Sequence, residues 1–249
     1  MSGHSKWATI KHRKGAKDAS RAKLFARLLR TVEVAAREGG SDLESNASLR
    51  SAYQKARDGS VPLDTIERAI KRGTGELEGV RYEAVSYEGY APSGIAVIVE
   101  TLTDNRNRTA AEMRHLFSRN GGSMAEPGAV SWQFERKGVV VVDGKLDEDR
   151  LMEVGLDAGL ENILAAGSHW RLICVPSELH ALTEALAAAE IAFEDAELTL
   201  EPTQTIAIDD LEEAKKVLRL LEQIDDHDDV QSVHANDDIP DEILAAYEG

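Results

Sequence analysis

A single cysteine in 249 residues excludes a disulfide framework within the chain. That residue, Cys174, lies in the apolar run WRLICVP, where a small buried hydrophobe is the default reading over a reactive thiol. Aromatic residues make up only 5% of the chain, so its cores must be mainly aliphatic, and binding by base stacking alone is disfavoured. No apolar run reaches the roughly eighteen residues of a membrane span, and no apolar core of signal-peptide length follows the N-terminus. A soluble, cytoplasmic protein is expected. The Arg-rich, acid-poor start also suits an organelle transit peptide, but Trp7, the glycines and the string HSKW fit that reading poorly. Catalytic signatures are missing too: there is no GxxxxGK with Ser or Thr, no GxSxG, no CxxC pair and no HExxH. His115 and His169 have no partners at a useful spacing. No enzyme activity, catalytic residue, cofactor or metal is therefore expected.

What the chain does have is charge, unevenly placed. Residues 1–30 carry nine Lys and Arg against one acid, in a protein whose formal net charge is -16. Residues 1–75 hold 16 basic and 8 acidic side chains, a balance of +8, whereas residues 76–249 hold 13 and 37, a balance of -24. An acidic body is repelled by a nucleic acid that the basic end attracts, so the asymmetry orients as well as binds.

Periodicity divides the chain. Over residues 19–38 apolar side chains recur at three and four from Leu24 to Ala36, and Lys23, Arg27, Arg30 and Arg37 form a basic stripe on another face. Helices are expected over 46–57 and again after Ser60, the expected cap, with Pro62 in the first turn and Gly73 after the end. From Tyr82 the period becomes two. YEAVSYEGY and GIAVIVETLT predict a hairpin, residues 107–119 a helix, and AVSWQFE a further strand. Residues from GVVVVDG to 202 read as βαββαβ, a ferredoxin-like order. TQTIAID, a helix over 210–223 and DVQSVHAN then supply strand, helix, strand. The expected fold is multidomain α+β, with an N-terminal three-helix domain and two ferredoxin-like-type α/β layers, one inserted in the other. The expected boundaries are 1–76 for the basic arm and helical domain, 77–135 plus 203–240 for a discontinuous α+β domain, 136–202 for the inserted domain, and 241–249 for a C-terminal tail.

Candidate nucleic-acid-binding residues follow from the charge. In the arm these are Lys6, Lys11, His12, Arg13, Lys14 and Lys17, with Gly3 and Gly15 giving backbone freedom. A solvated tail is the bland alternative, but Trp7 and Ile10 have no use in one. Arg21, Lys23, Arg27 and Arg30 continue the basic surface along the helix, where a merely solvated face is the competing reading. A second candidate anion site is Arg106, Asn107 and Arg108 at a strand-to-helix junction, although Asn107 or Thr109 would serve equally as a cap. The nearby loop of Gly121, Gly122, Ser123 and Met124 has the flexibility to enter a groove. The run Asp225, Asp226, His227, Asp228 and Asp229 reads as a solvated turn, with a metal site only an outsider. No helix-turn-helix or zinc-finger spacing is present, so backbone and shape recognition, as RNA demands, fits at least as well as base readout.

The segments SGHSKWATIKHRKGAKDA, VPLDTIERAIKRGTGE, YEGYAPSGIAVIVETLTDNRNRTAAEMRHLFSRNGG and AVSWQFERKG resemble the YebC/PmpR family, and the acidic DDHDDVQSVHAN follows its pattern. The resemblance covers nearly the whole chain. It implies a helical N-terminal domain and two α/β domains. It also implies a DNA-binding transcriptional regulator or, alternatively, a ribosome-associated, RNA-binding translation factor that assists synthesis of proline-rich stretches; the family is also related to mitochondrial translational activators. The partner is DNA, or ribosomal or transfer RNA, and no membrane is involved.

Overall fold

The computed structural model describes residues 18–248. Helices α1 (Asp18–Gly39), α2 (Ala47–Asp58) and α3 (Leu63–Gly73) come first. They bury Val32, Ala36, Leu49, Ala56 and Ile66 in a core completed by Val61 and Leu43 from the connections between them. Asn46 joins two of them: its Oδ1 accepts from the Leu49 N–H at 3.0 Å, and its Nδ2 donates to the carbonyls of Ala35 at 2.8 Å and Gly40 at 2.9 Å. Ser60 does not cap α3. It sits in the left-handed region at φ 61, and Pro62 occupies the cap position without a side-chain bond. Gly73 lies inside α3, where a Cβ would stand 2.4 Å from the Glu33 carbonyl of α1. Close helix approach, rather than termination, requires that glycine.

The hairpin follows as β1 (Glu83–Tyr90) and β2 (Ala96–Thr103), then α4 (Arg106–Arg119) and β3 (Ser123–Ala125). Next come β4 (Phe134–Asp143), α5 (Glu148–Leu156), β5 (Leu160–Ala166), β6 (His169–Cys174), α6 (Leu179–Ala188) and β7 (Phe193–Pro202). The chain closes with β8 (Ile206–Ala207), α7 (Leu211–Asp225), β9 (Val230–Ala235), β10 (Asp237–Asp238) and α8 (Asp241–Glu248). Two four-stranded sheets result, ordered β3-β1-β2-β9 and β5-β6-β4-β7. In the first, Val97, Val99 and Val233 pack with Met113 and Phe117 of α4 and Val217, Leu218 and Leu221 of α7. In the second, Val140, Val142 and Leu172 pack with Leu151, Leu182 and Leu186 of the two helices, and Cys174 is buried among them. Burial pushes the Cys174 thiol up, and the nearby carboxylates of Glu161 and Glu178 add to the shift, so the group stays an inert hydrophobe.

Five expectations need correction. AVSWQFE is not a strand of the first sheet, because Ser131–Gln133 forms a 3-10 turn and Phe134 opens β4, where it pairs with Pro202. The expected boundary at 135/136 therefore falls inside a continuous strand. The Glu88 carboxylate accepts from the N–H groups of Gly128 at 2.7 Å, Val130 at 2.7 Å and Ser131 at 3.0 Å, so those donors are unavailable to a sheet ladder. The second neighbour of β1 is Ser123–Ala125, which overlaps the segment expected as a flexible loop. TQTIAID yields only the two residues of β8, paired in parallel with β10 and apart from both sheets. The C-terminal tail is α8, and Leu244 is buried in the first core.

Candidate nucleic-acid interface

Of the expected basic surface, Lys6, Lys11, His12, Arg13, Lys14 and Lys17 lie outside the described residues. Arg21 is exposed, with its guanidinium 5.4 Å from the centre of the Phe25 ring. The next three cations are not open to solvent as the sequence suggested. Lys23 bonds to the Asp226 carbonyl and lies 3.3 Å from its carboxylate. Arg27 bonds to the Asp225 carbonyl and lies 3.2 Å from its Oδ1. Arg30 donates to the Asp228 carbonyl at 2.5 Å, lies 3.3 Å from Asp229 Oδ1, and stacks 5.2 Å from the Tyr82 ring centre. The Thr31 hydroxyl adds a bond to Gln231 Oε1 at 3.3 Å. Arg37, the last member of the stripe, pairs with buried Glu33 of its own helix and donates to the Val80 carbonyl just beyond the helical domain.

The run 225–229 is therefore a docking surface as well as a turn: Asp226 and Asp228 stay exposed, while its backbone carbonyls, Asp225 and Asp229 face the cations of α1. Helix α7 ends at Asp225 and leaves its last carbonyls without intrahelical partners. The negative end of the helix and four aspartates in five residues meet three cations spaced four and three apart on α1. The turn is locally fixed, since His227 Nδ1 accepts from the Asp229 N–H at 3.1 Å and Nε2 lies 2.8 Å from Glu112 Oε2. Among the described residues no group of three His, Cys, Asp or Glu side chains is arranged to hold a metal ion.

Asp229 anchors the arrangement. Its side chain is 4% exposed and accepts from Thr109 Oγ1 at 2.7 Å and Arg108 Nη2 at 3.0 Å. Burial pushes its carboxyl up, but the hydrogen bonds from Thr109, Arg108 and Thr103 outweigh that and hold it below the ordinary range. Arg108 also pairs with Asp104 at 2.7 Å, and these hydrogen bonds raise its own value. A cleft of about 510 Å³ lies beside the clamp, between Arg30, Tyr82, Arg108, Glu112 and His227.

The second candidate site is thus divided. Arg108 is committed to carboxylates, whereas Arg106 and Asn107 are exposed on the first turn of α4. Neither Asn107 nor Thr109 caps that helix; Asn105 Oδ1 accepts from the Arg108 N–H at 3.1 Å. The Gly121–Met124 segment is not a free inserting loop either, because a Cβ on Gly122 would stand 2.5 Å from the Tyr90 carbonyl. Sequence reasoning missed the acidic turn as the partner of the basic stripe. The available signal was two runs of opposite sign, one on a helix face and one at a helix end, but nothing local relates residues about 200 apart. Trp132, 74% exposed with its Nε1 donating to the Ala129 carbonyl at 3.0 Å, was missed as well.

Residues 82–237 match the family described as TACO1/YebC second and third domain, and residues 5–76 match the TACO1/YebC protein N-terminal domain. A protein of Acidithiobacillus ferrooxidans named a probable transcriptional regulatory protein is 51% identical over 248 residues, covering 100% of this chain and 99% of that one. A namesake from Halothermothrix orenii is 50% identical, with 98% of each chain covered. The crystal structure of a conserved hypothetical protein from Aquifex aeolicus has a TM-score of 0.84 to this chain at 45% identity, covering 93% of this chain and 97% of that one. Among the described residues no helix is long and apolar enough to cross a membrane.

Proposed function

The chain belongs to the TACO1/YebC family, and on that premise we propose that it is a nucleic-acid-binding regulator of gene expression, a DNA-binding transcriptional regulator that works in the cytoplasm. The observation that carries this reading is the +8 and -24 division of charge between residues 1–75 and 76–249. A polyanion approaching such a molecule is steered to one end. Contacts are assigned to Lys6, Lys11, His12, Arg13, Lys14, Lys17 and Arg21, to the stripe of Lys23, Arg27 and Arg30 where it is accessible, and to Arg106 and Asn107 as a lesser site. The domain division 1–76, 77–135 with 203–240, and 136–202 goes with this reading, shifted so that β4 stays whole. The order β5-β6-β4-β7, with α5 and α6 on one face, supports a ferredoxin-like assignment for the inserted layer. The order β3-β1-β2-β9 supports only a comparable two-layer architecture for the other.

Replacing Lys11, Arg13, Lys14 and Lys17 by Ala is expected to weaken binding to every sequence. It should also flatten the salt dependence by up to about four contacts, each contributing a slope near 0.9 on duplex DNA or 0.7 on single strands. Titration of labelled duplex at several salt concentrations reads both effects, and unchanged affinity and slope would remove the arm from the mechanism. A defined promoter that competes no better than random duplex, together with retention of the protein on ribosomes, would replace the DNA reading by the translational one.

A further inference from the structure

Among the described residues of the basic stripe, Lys23, Arg27 and Arg30 meet the body of the protein directly. Each contacts the turn 225–229 twice, through a backbone carbonyl and through a carboxylate. Negative oxygens presented at successive positions to a row of cations are what a phosphate backbone also offers. The rest of the junction is polar. The core of α1, α2 and α3 draws only on residues 25–70, and the cores of the two sheets take nothing from them. Other contacts across it are the Lys55–Glu197 pair at 3.1 Å, the bond between Thr31 and Gln231, and the stacking of Arg30 on Tyr82. With no apolar core shared among the described residues, the helical domain is held largely by charge, and a second polyanion can compete for the same cations.

We propose that the aspartate turn 225–229 occupies the phosphate-binding stripe of α1 as an internal stand-in for nucleic acid, so that binding along Lys23, Arg27 and Arg30 requires the helical domain to undock from the turn. The inference rests on the nucleic-acid reading above and adds a competitor to it. The docked form offers nucleic acid Arg21 and Arg106, and the undocked form adds three cations. The apparent affinity is then the intrinsic one reduced by the undocked fraction. Asp229 is the hinge of the turn and not its competitor, because its carboxylate is committed to Thr109 and Arg108 as well as to Arg30.

The test unlocks and locks the contact in the full-length protein. The triple variant Asp225→Asn, Asp226→Asn and Asp228→Asn leaves Asp229 in place, and its control neutralises the exposed Asp149, Glu153 and Glu184 of the inserted layer, with the same change in net charge. In the locked form, Thr31→Cys and Gln231→Cys are joined by a short reducible bridge across the 3.3 Å contact, and buried Cys174 stays unreactive. Binding of a labelled duplex and of a single-stranded RNA is measured against salt. The unlocked variant is expected to bind at least about tenfold tighter than wild type, with a slope steeper by two to three, which is about three added contacts. The charge-matched control should stay near wild type, and the bridged form should lose affinity and regain it on reduction. Equal binding by wild type, unlocked and bridged proteins would overturn the proposal while leaving the nucleic-acid reading intact. A control that gains as much as the unlocked variant would also overturn it, because net charge alone would then account for the effect. Failure of every form to bind either polymer would sink the functional reading and this inference together. Binding by the unlocked variant alone would support both.

Discussion

Glu88 shows how one side chain can decide the path of a segment. Its carboxylate, 8% exposed on β1, collects three backbone N–H groups from the stretch that precedes β4, and so fixes the loop that presents Trp132 to solvent. Burial pushes this carboxyl up, but the bonds from Val130, Gly128 and Ser131 outweigh it and bring it below its ordinary value of 4.5. A group depressed in the folded state stabilises above its unfolded value and loses that contribution as pH falls through the folded one. Glu88→Gln keeps the shape but removes the charge and one acceptor oxygen, so it should cost about 1–3 kcal/mol at pH 7. Urea midpoints should converge between variant and wild type as pH drops below 4.5, and a gap that persists in acid would contradict the role given to the charge. Glu100 behaves similarly where the two sheets meet. A hydrogen bond from His234, opposed by burial and reinforced by Ser232, lowers it to about 2. His234 reaches Thr199 on β7 at 3.4 Å, and Arg136 on β4 lies 3.6 Å from Glu100, so this cluster ties one layer to the other down to strongly acid pH.

At the scale of elements, the start of α4 separates a structural asparagine from a binding candidate two residues away. Asn105→Ala removes the acceptor for the Arg108 N–H and should cost about 1 kcal/mol, as N-cap losses do. Asn107→Ala, on the exposed side of the first turn, should change stability by less than about 0.5 kcal/mol. Nucleic-acid affinity should respond in the opposite pattern, so thermal melts and binding titrations of the pair separate cap from contact. These neighbours also show what the sequence makes legible. The N-terminal helices, the hairpin, α4 and the βαββαβ run were readable because each carries a period over eight or more residues or a firm stop. The three-residue β3 is too short to show a period, and of the two glycines before it only Gly121 uses its freedom, in the left-handed region, whereas Gly122 serves close approach to Tyr90 and Phe117. The 3-10 turn at Ser131–Gln133 was invisible because Glu88, which organises it, is some forty residues away in sequence. For the same reason, the basic stripe was legible and the partner that neutralises it was not.

For the whole molecule, the separate cores and the polar junction make the position of the helical domain a function of ionic conditions. Screening shortens from about 10 Å at 0.1 M salt to about 3 Å at 1 M, so the pairs of Lys23, Arg27 and Arg30 with the aspartate turn should weaken over that range while the apolar cores do not. Acid should act on the same contact by another route. The Asp229 carboxyl, ordinarily near 3.8 and held lower here, contributes its stabilisation above that value and loses it as pH falls through the depressed one. Hydrogen exchange is the suitable measurement, because it resolves the junction from the cores. Amides around 225–231 should lose protection between 0.05 and 1 M salt at pH 7. They should lose it again in low salt as pH falls through the depressed value of Asp229, below its ordinary 3.8. Amides of Val97, Val99, Val140 and Val142, inside the two sheets, should keep theirs throughout the salt series. Loss of protection in turn and sheets together would mean that the helical domain and the body unfold as one cooperative unit, and that the charged junction is not a separable element of the fold.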